Sequence, residues 1–288
     1  ICYYILMFDR KNTSLALELV TFSHTLFVLP LILAGYVVSF DEFNLLNFVL
    51  ILCCAVSART IGMILNRIID SDIDLQNPRT SNRPIPARKI SNRFVLNFLG
   101  TSLAIFFISS WLICDLVLIL APIPIIFFFI YPYLKRYTFM CHFFLGITLS
   151  LGPLAGGVAA SCSIQSIYET FHIALFTIFW ISGFDILYAL QDFDYDSKKG
   201  IYSIPTYFGK KKAIVISSIC FFLSSITIFY YLYIKESHVF SYLLLIFLVL
   251  GFLVQILRCS RLDFSFFKYN SYIGFLILIL IFSDILLR

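Results

Sequence analysis

The residues of this sequence best suited to chemistry are acidic and amide side chains at helical spacing. Asn66, Asp70 and Asp74 recur every four residues. Asp192 and Asp196 repeat that interval more than a hundred positions later, with Asp185 seven residues before Asp192. Four residues turn an α-helix through about 400°, so each set projects from one slowly drifting face. Such paired carboxylates suit magnesium (Mg2+), a hard cation that keeps several waters and is usually held by one or two carboxylates plus substrate phosphates. Asn66, Asp70, Asp74, Asp192 and Asp196 are therefore the candidate metal ligands. Asp70, Asp74, Asp185, Asp192 and Asp196 are the candidate catalytic residues, and the pattern predicts a site for a diphosphate.

Gathering these carboxylates around one cavity with a diphosphate crowds negative charge. Two like unit charges 4 Å apart repel by about 4 kcal/mol at an effective dielectric near 20, so bridging cations are required. Arg79, Arg83 and Lys135 can complete the neutralisation, because an arginine fork matches phosphate oxygens in pairs and a lysine acts as a point charge. Tyr131 lies four residues before Lys135, on the same helical face, and is the first aromatic candidate for the site. Arg59 sits two turns before Asn66 inside an apolar run, where an arginine costs about 2.5 to 3.5 kcal/mol. It needs a buried partner, either a carboxylate such as Asp185 or an acidic substrate. Asp72 and Asp194 point away from their neighbours and read as solvated or capping residues. His24 and His172 have no second ligand at a useful spacing and read as packing residues.

The elements that must carry these residues are apolar helices. Of 288 residues, 60% are hydrophobic and 13% charged, and the mean hydropathy is +0.94. That excludes an ordinary soluble domain and predicts an all-α polytopic membrane protein, since lipid offers the backbone no hydrogen bonds. Nine spans are expected, near 14–38, 44–68, 93–113, 115–134, 140–161, 169–191, 212–233, 239–257 and 269–287, within a single domain over 1–288. Eighteen of the 21 Lys and Arg residues fall on one side of this bundle. The imbalance predicts a cytoplasmic N-terminus, an external C-terminus and both acidic motifs facing the cytoplasm.

The net charge of +5 is thus topological, with no nucleic-acid-binding tract, and Lys210 to Lys212 read as a membrane-surface anchor. Eight cysteines are scattered without metal-ligand spacing and read as packing residues. No cleavable leader is expected, and Met7 is a candidate start. Each acidic motif is followed by a basic loop, 71–92 and 193–211, a weak internal similarity suggestive of duplication. The first loop carries Pro78, Pro84 and Pro86, which bar helix continuation. Gly146, Gly152, Gly156 and Gly157 suit close helix packing. Among 33 Phe and 17 Tyr, those lining a cavity could stabilise a carbocation.

The segment from Gly62 to Ser91, GMILNRIIDSDIDLQNPRTSNRPIPARKIS, resembles the UbiA superfamily of intramembrane aromatic prenyltransferases. Two further segments, from Tyr131 to Thr138 and from Phe184 to Pro205, extend the resemblance over most of the chain. It implies nine transmembrane helices around a central cavity, with a first motif over 66–74 and a second over 185–196. It also implies two Mg2+ ions holding a polyprenyl diphosphate. By the same resemblance Arg79, Arg83 and Lys135 contact the diphosphate, and Arg59 lies near the carboxylate of an aromatic acid acceptor.

The chain most resembles the 4-hydroxybenzoate branch, although Arg67 stands where many members have Asp; a dihydroxynaphthoate acceptor is the alternative. The expected activity is Mg2+-dependent prenyl transfer in ubiquinone or menaquinone synthesis at the inner (cytoplasmic) membrane. The lipid bilayer is its environment, and no obligate protein partner is expected. The rivals are a secondary transporter, whose site usually sits at the bilayer midplane, and a phosphatidyl-group transferase.

Overall fold

The computed structural model describes residues 10–20, 25–40, 42–259 and 266–287. Every regular element among them is helical. In chain order these are α1 (Arg10–Val20), α2 (Thr25–Ser39), α3 (Leu45–Ile69), α4 (Ser71–Gln76), α5 (Asn92–Ile113), α6 (Asp115–Leu120) and α7 (Pro122–Leu134). There follow α8 (Cys141–Ser161), α9 (Ser166–Ala189), a 3-10 turn (Leu190–Asp192), α10 (Phe193–Lys199), α11 (Ile204–Phe208), α12 (Lys210–Ile234), α13 (Val239–Arg258) and α14 (Phe266–Leu287).

Eight stretches of the described residues are helical, long and apolar enough to cross a membrane, and Phe27–Ser39 is a shorter apolar helix. The protein is an all-α integral membrane protein. The first expected span, 14–38, is divided between α1 and α2, and residues 21–24, including His24, lie outside the described residues. Cys2, Met7, Arg261 and Arg288 lie outside them too.

Local chemistry sets the element boundaries. Asn44 caps α3 by accepting from the Asn47 amide at 3.0 Å, and Ser91 caps α5 by accepting from Phe94 at 3.2 Å. The break between α3 and α4 is slight. Asp70 N–H still reaches Asn66 O at 2.9 Å and Asp74 N–H reaches Asp70 O at 2.8 Å, so the four-residue periodicity runs through it. Asn77 ends α4, and the proline-rich segment beyond it folds back in turns rather than helix.

Two groups of helices share α2 and α8. On one side, α2, α8, α9, α12, α13 and α14 surround the main core, with Trp180, Phe176, Phe184, Phe221 and Tyr231 buried at its centre. A polar knot ties three of these helices: Trp180 Nε1 donates to Asn270 Oδ1 at 2.9 Å, and Asn270 and Gln255 exchange amide hydrogen bonds at 3.2 and 3.3 Å. All three partners are buried, and pairing them avoids the cost of unsatisfied polar groups. On the other side, α3, α5, α6 and α7 join α2 and α8 around an apolar cavity of about 230 Å3.

Glycine permits the closest of these contacts. A Cβ on Gly146 would lie 2.5 Å from Ile178 O, so α8 and α9 meet backbone to backbone there. Gly146→Val is expected to push the two helices apart, with a cost on the order of 2 kcal/mol or more. Thermal unfolding in detergent checks this: the midpoint should fall by several degrees, and an unchanged midpoint would contradict the packing.

Candidate active site

The two acidic motifs, far apart in sequence, are brought together. Asn77 Nδ2 donates to Asp192 Oδ1 at 3.0 Å, and Arg79 binds the same carboxylate through two nitrogens, Nε at 2.8 Å. Arg79 also donates to Tyr188 OH at 2.7 Å and lies over its ring. Tyr195 OH donates to Ile73 O at 3.2 Å and Lys199 to Gln76 at 2.8 Å, docking α10 on α4. The fold-back of the proline-rich segment makes this possible. Arg79 N–H bonds Asn77 Oδ1 at 2.9 Å and Thr80 Oγ1 bonds Asp74 O at 3.0 Å, which aims Arg79 at Asp192 and Arg83 at Asp74.

Of Asp70, Asp74, Asp192 and Asp196, all but Asp196 have a basic ion-pair partner. Lys135 Nζ is 2.7 Å from Asp70 Oδ2, which also accepts from Asn66 Nδ2 at 2.9 Å. Arg83 lies 2.8 Å from both oxygens of Asp74, and Arg67 approaches the same carboxylate at 3.9 Å. Asp196 has Asp192, Lys135 and Arg79 as its charged neighbours. Four carboxylates thus face Arg67, Arg79, Arg83 and Lys135, so the acidic cluster is neutralised by the chain's own cations.

Burial pushes the Asp70 carboxyl above its ordinary range, and the Lys135 ammonium opposes this. Burial would lower the Arg79 pKa, but its bonds to Asp192 and Tyr188 outweigh that and raise it. Asp72 is solvated, as expected from its angle. It nevertheless pairs with Arg136 at 2.9 Å, which holds its carboxyl below the usual value. Arg136 also donates to Ile69 O, at the end of α3, at 2.6 Å. Asp194 is exposed, 3.5 Å from Lys210.

The donor set fits a magnesium-bound diphosphate. Its ligating atoms are hard oxygens, and Asp70 Oδ1 is buried with no hydrogen-bond partner. Among the described residues no three His, Cys, Asp or Glu side chains cluster closely enough to hold an ion by themselves.

Beside the charged end lies the apolar cavity, whose wall includes Arg59 and Tyr131 along with Gly62, Phe128, Leu145 and Leu149. Of the two partners weighed for Arg59, the Asp185 carboxylate is not the one the fold supplies. Asp185 Oδ2 instead meets His142 Nδ1 at 2.7 Å. The Arg59 guanidinium stands 5.9 Å from the centre of the Phe27 ring, its Nε is buried without a partner, and the surface it keeps faces the cavity. Asp185, on α9, is drawn toward α8 and does not pair with Arg59. His172 packs against Tyr230 and Tyr231.

Sequence reasoning missed His142 and Arg67. His142 directly follows Cys141 with no charged neighbour to signal its role, and Arg67 reads as one more basic residue at a helix end.

A model of the UbiA prenyltransferase family matches residues 28–280. The chain is 30% identical over 231 residues to a 4-hydroxybenzoate octaprenyltransferase of Vesicomyosocius okutanii, covering 77% of this chain and 81% of that protein. It is 35% identical over 164 residues to 4-hydroxybenzoate geranyltransferase 2 of Lithospermum erythrorhizon, covering 57% of this chain and 53% of the relative. Among solved structures, the apo form of a UbiA homologue from Aeropyrum pernix superposes with a TM-score of 0.83 at 27% identity, covering 91% of this chain and 98% of that one. A UbiA homologue from Archaeoglobus fulgidus, bound to GPP and Mg2+, shares the fold with a TM-score of 0.70 at 18% identity, covering 94% and 99%.

Proposed function

Because this chain belongs to the UbiA prenyltransferase family, we propose that it transfers a polyprenyl group from polyprenyl diphosphate to 4-hydroxybenzoate or a similar aromatic acid. This is a step in the synthesis of respiratory quinones, ubiquinone or menaquinone. The observation that supports this reading is the convergence of two acidic motifs and four basic side chains beside an apolar cavity whose wall holds an arginine. A charged end for diphosphate, an apolar body for a prenyl chain and a cation for a carboxylate describe the two substrates together.

In this mechanism Arg79, Arg83 and Lys135 exchange part of their pairing with Asp192, Asp74 and Asp70 for phosphate oxygens. Asn66, Asp70, Asp74, Asp192 and Asp196 would hold Mg2+, which when bound supplies the charge that stabilises the leaving diphosphate. The basic side chains aim further positive charge at that leaving group, where it develops in the transition state. Arg59 binds the acceptor carboxylate, and Tyr131, beside it in the wall, presents a ring face to the allylic cation. The bond to diphosphate oxygen breaks first, the ring carbon beside the phenolic hydroxyl then bonds to the allylic cation, and Asp185 accepts the ring proton as aromaticity returns.

We place the protein in the inner (cytoplasmic) membrane as one domain, with the N-terminus and the site on the cytoplasmic side, from the distribution of its basic residues. The test is product mass. Purified protein in lipid vesicles is given Mg2+, a prenyl diphosphate and a panel of hydroxybenzoates and a dihydroxynaphthoate. The expected product has the mass of acceptor plus prenyl group minus one hydrogen, is formed on the benzoate and is stopped by a chelator. Product on the naphthoate alone would replace the acceptor, and metal-independent substrate flux without product would overturn the enzyme reading.

A further inference from the structure

His142 lies in the first turn of α8 and is 3% exposed, so a polar ring there must have both nitrogens satisfied. Its partners determine its tautomer. The Ile204 backbone N–H points at His142 Nε2 from 3.3 Å. An amide N–H can only donate, so Nε2 is the acceptor and the ring proton sits on Nδ1. Nδ1 is 2.7 Å from Asp185 Oδ2, and there it donates.

The Ile204 donor is available because it opens α11, where first-turn amides have no intrahelical acceptor. Ser203 and Thr206 form a capping box that holds that turn in place. Asp185, by contrast, keeps about a quarter of its side-chain surface exposed (24%).

We propose that His142 is a positioning residue for proton removal: its Nδ1–H holds the Asp185 carboxylate in the orientation that accepts the ring proton after the prenyl group has bonded. The proposal rests on the reading of Asp185 as the base. The proton leaves the ring carbon for an Asp185 oxygen while the C–H pair restores aromaticity, and His142 keeps its own proton throughout. The arrangement parallels catalytic constellations in which a third group orients the base and sets its protonation.

Substitutions separate this from a purely structural role. With His142→Asn the side-chain amide can reach Asp185 from the place of Nδ1 but leaves Ile204 unanswered. With His142→Gln the longer amide reaches the place of Nε2 and answers Ile204 at the expense of Asp185. The expected result is that H142F and H142Q lower kcat by about 10- to 50-fold with both KM values within about threefold, whereas H142N stays within about threefold of wild type.

With 4-hydroxybenzoate deuterated beside the hydroxyl, H142F and H142Q should also show an isotope effect on kcat above about 2 that wild type lacks, because proton removal has become slow. Full activity of H142Q with loss in H142N, or loss in every variant with no isotope effect, would overturn the proposal. D185N keeps the two readings apart. If it is fully active, Asp185 is not the base. If it is inactive while H142F behaves as wild type, only the role of His142 falls.

Discussion

Asp70→Asn is expected to lower kcat/KM for prenyl transfer by about a thousandfold. Asp70 offers one buried oxygen with no partner and another already tied to Lys135 and Asn66. The amide keeps the volume and can still accept from Lys135, but it removes the charge that a divalent cation and the leaving diphosphate depend on. Losing a single group aimed at developing charge typically costs a factor of about 10² to 10³, and weakened metal binding adds to it. The fold should survive, because burial already disfavours the charged form of Asp70. Radiolabelled product formation beside a thermal unfolding curve checks both halves. Activity within tenfold of wild type would remove Asp70 from the chemistry.

Arg59→Leu should act on the acceptor alone. Its buried Nε lacks a partner in the protein, and a charge-assisted bond to a carboxylate in such a site is worth several kcal/mol. The acceptor kcat/KM should therefore fall by about 10² to 10³, while the KM for prenyl diphosphate stays constant. Wild type should strongly prefer the free acid to its methyl ester, and the variant should lose that preference. Stability should not drop, since an apolar side chain replaces a buried cation. Equal discrimination between acid and ester in both proteins would place Arg59 elsewhere in the mechanism.

These two residues differ in how legible they were. Asp70 belongs to a local pattern: its neighbours at Asn66 and Asp74 share a helix face, and the hydrogen bonds through 66, 70 and 74 preserve that face across the slight break after Ile69. Arg59 was conspicuous because a cation in an apolar run is costly, but its partner depended on where α9 puts Asp185. That question is tertiary. The contact of Gly146 with Ile178 brings α8 against α9, and Asp185 is taken by His142. Similarly, nothing near Arg79 or Asp192 in the chain announces their bidentate pairing. It follows from the fold-back at Asn77 to Arg83 and the docking of α10 on α4.

Periodicity and composition are properties of short stretches of chain, so the sequence by itself determined the apolar helices, the faces that carry carboxylates and the side of the bundle on which basic residues gather. The partners of those side chains depend on contacts between segments tens to hundreds of residues apart. Only the packed bundle decided that basic residues pair with the acidic cluster, that Arg59 lines a cavity and that a histidine meets Asp185. Hydrogen bonds and ion pairs act over a few ångströms, and that proximity is set by helix packing rather than by spacing along the chain.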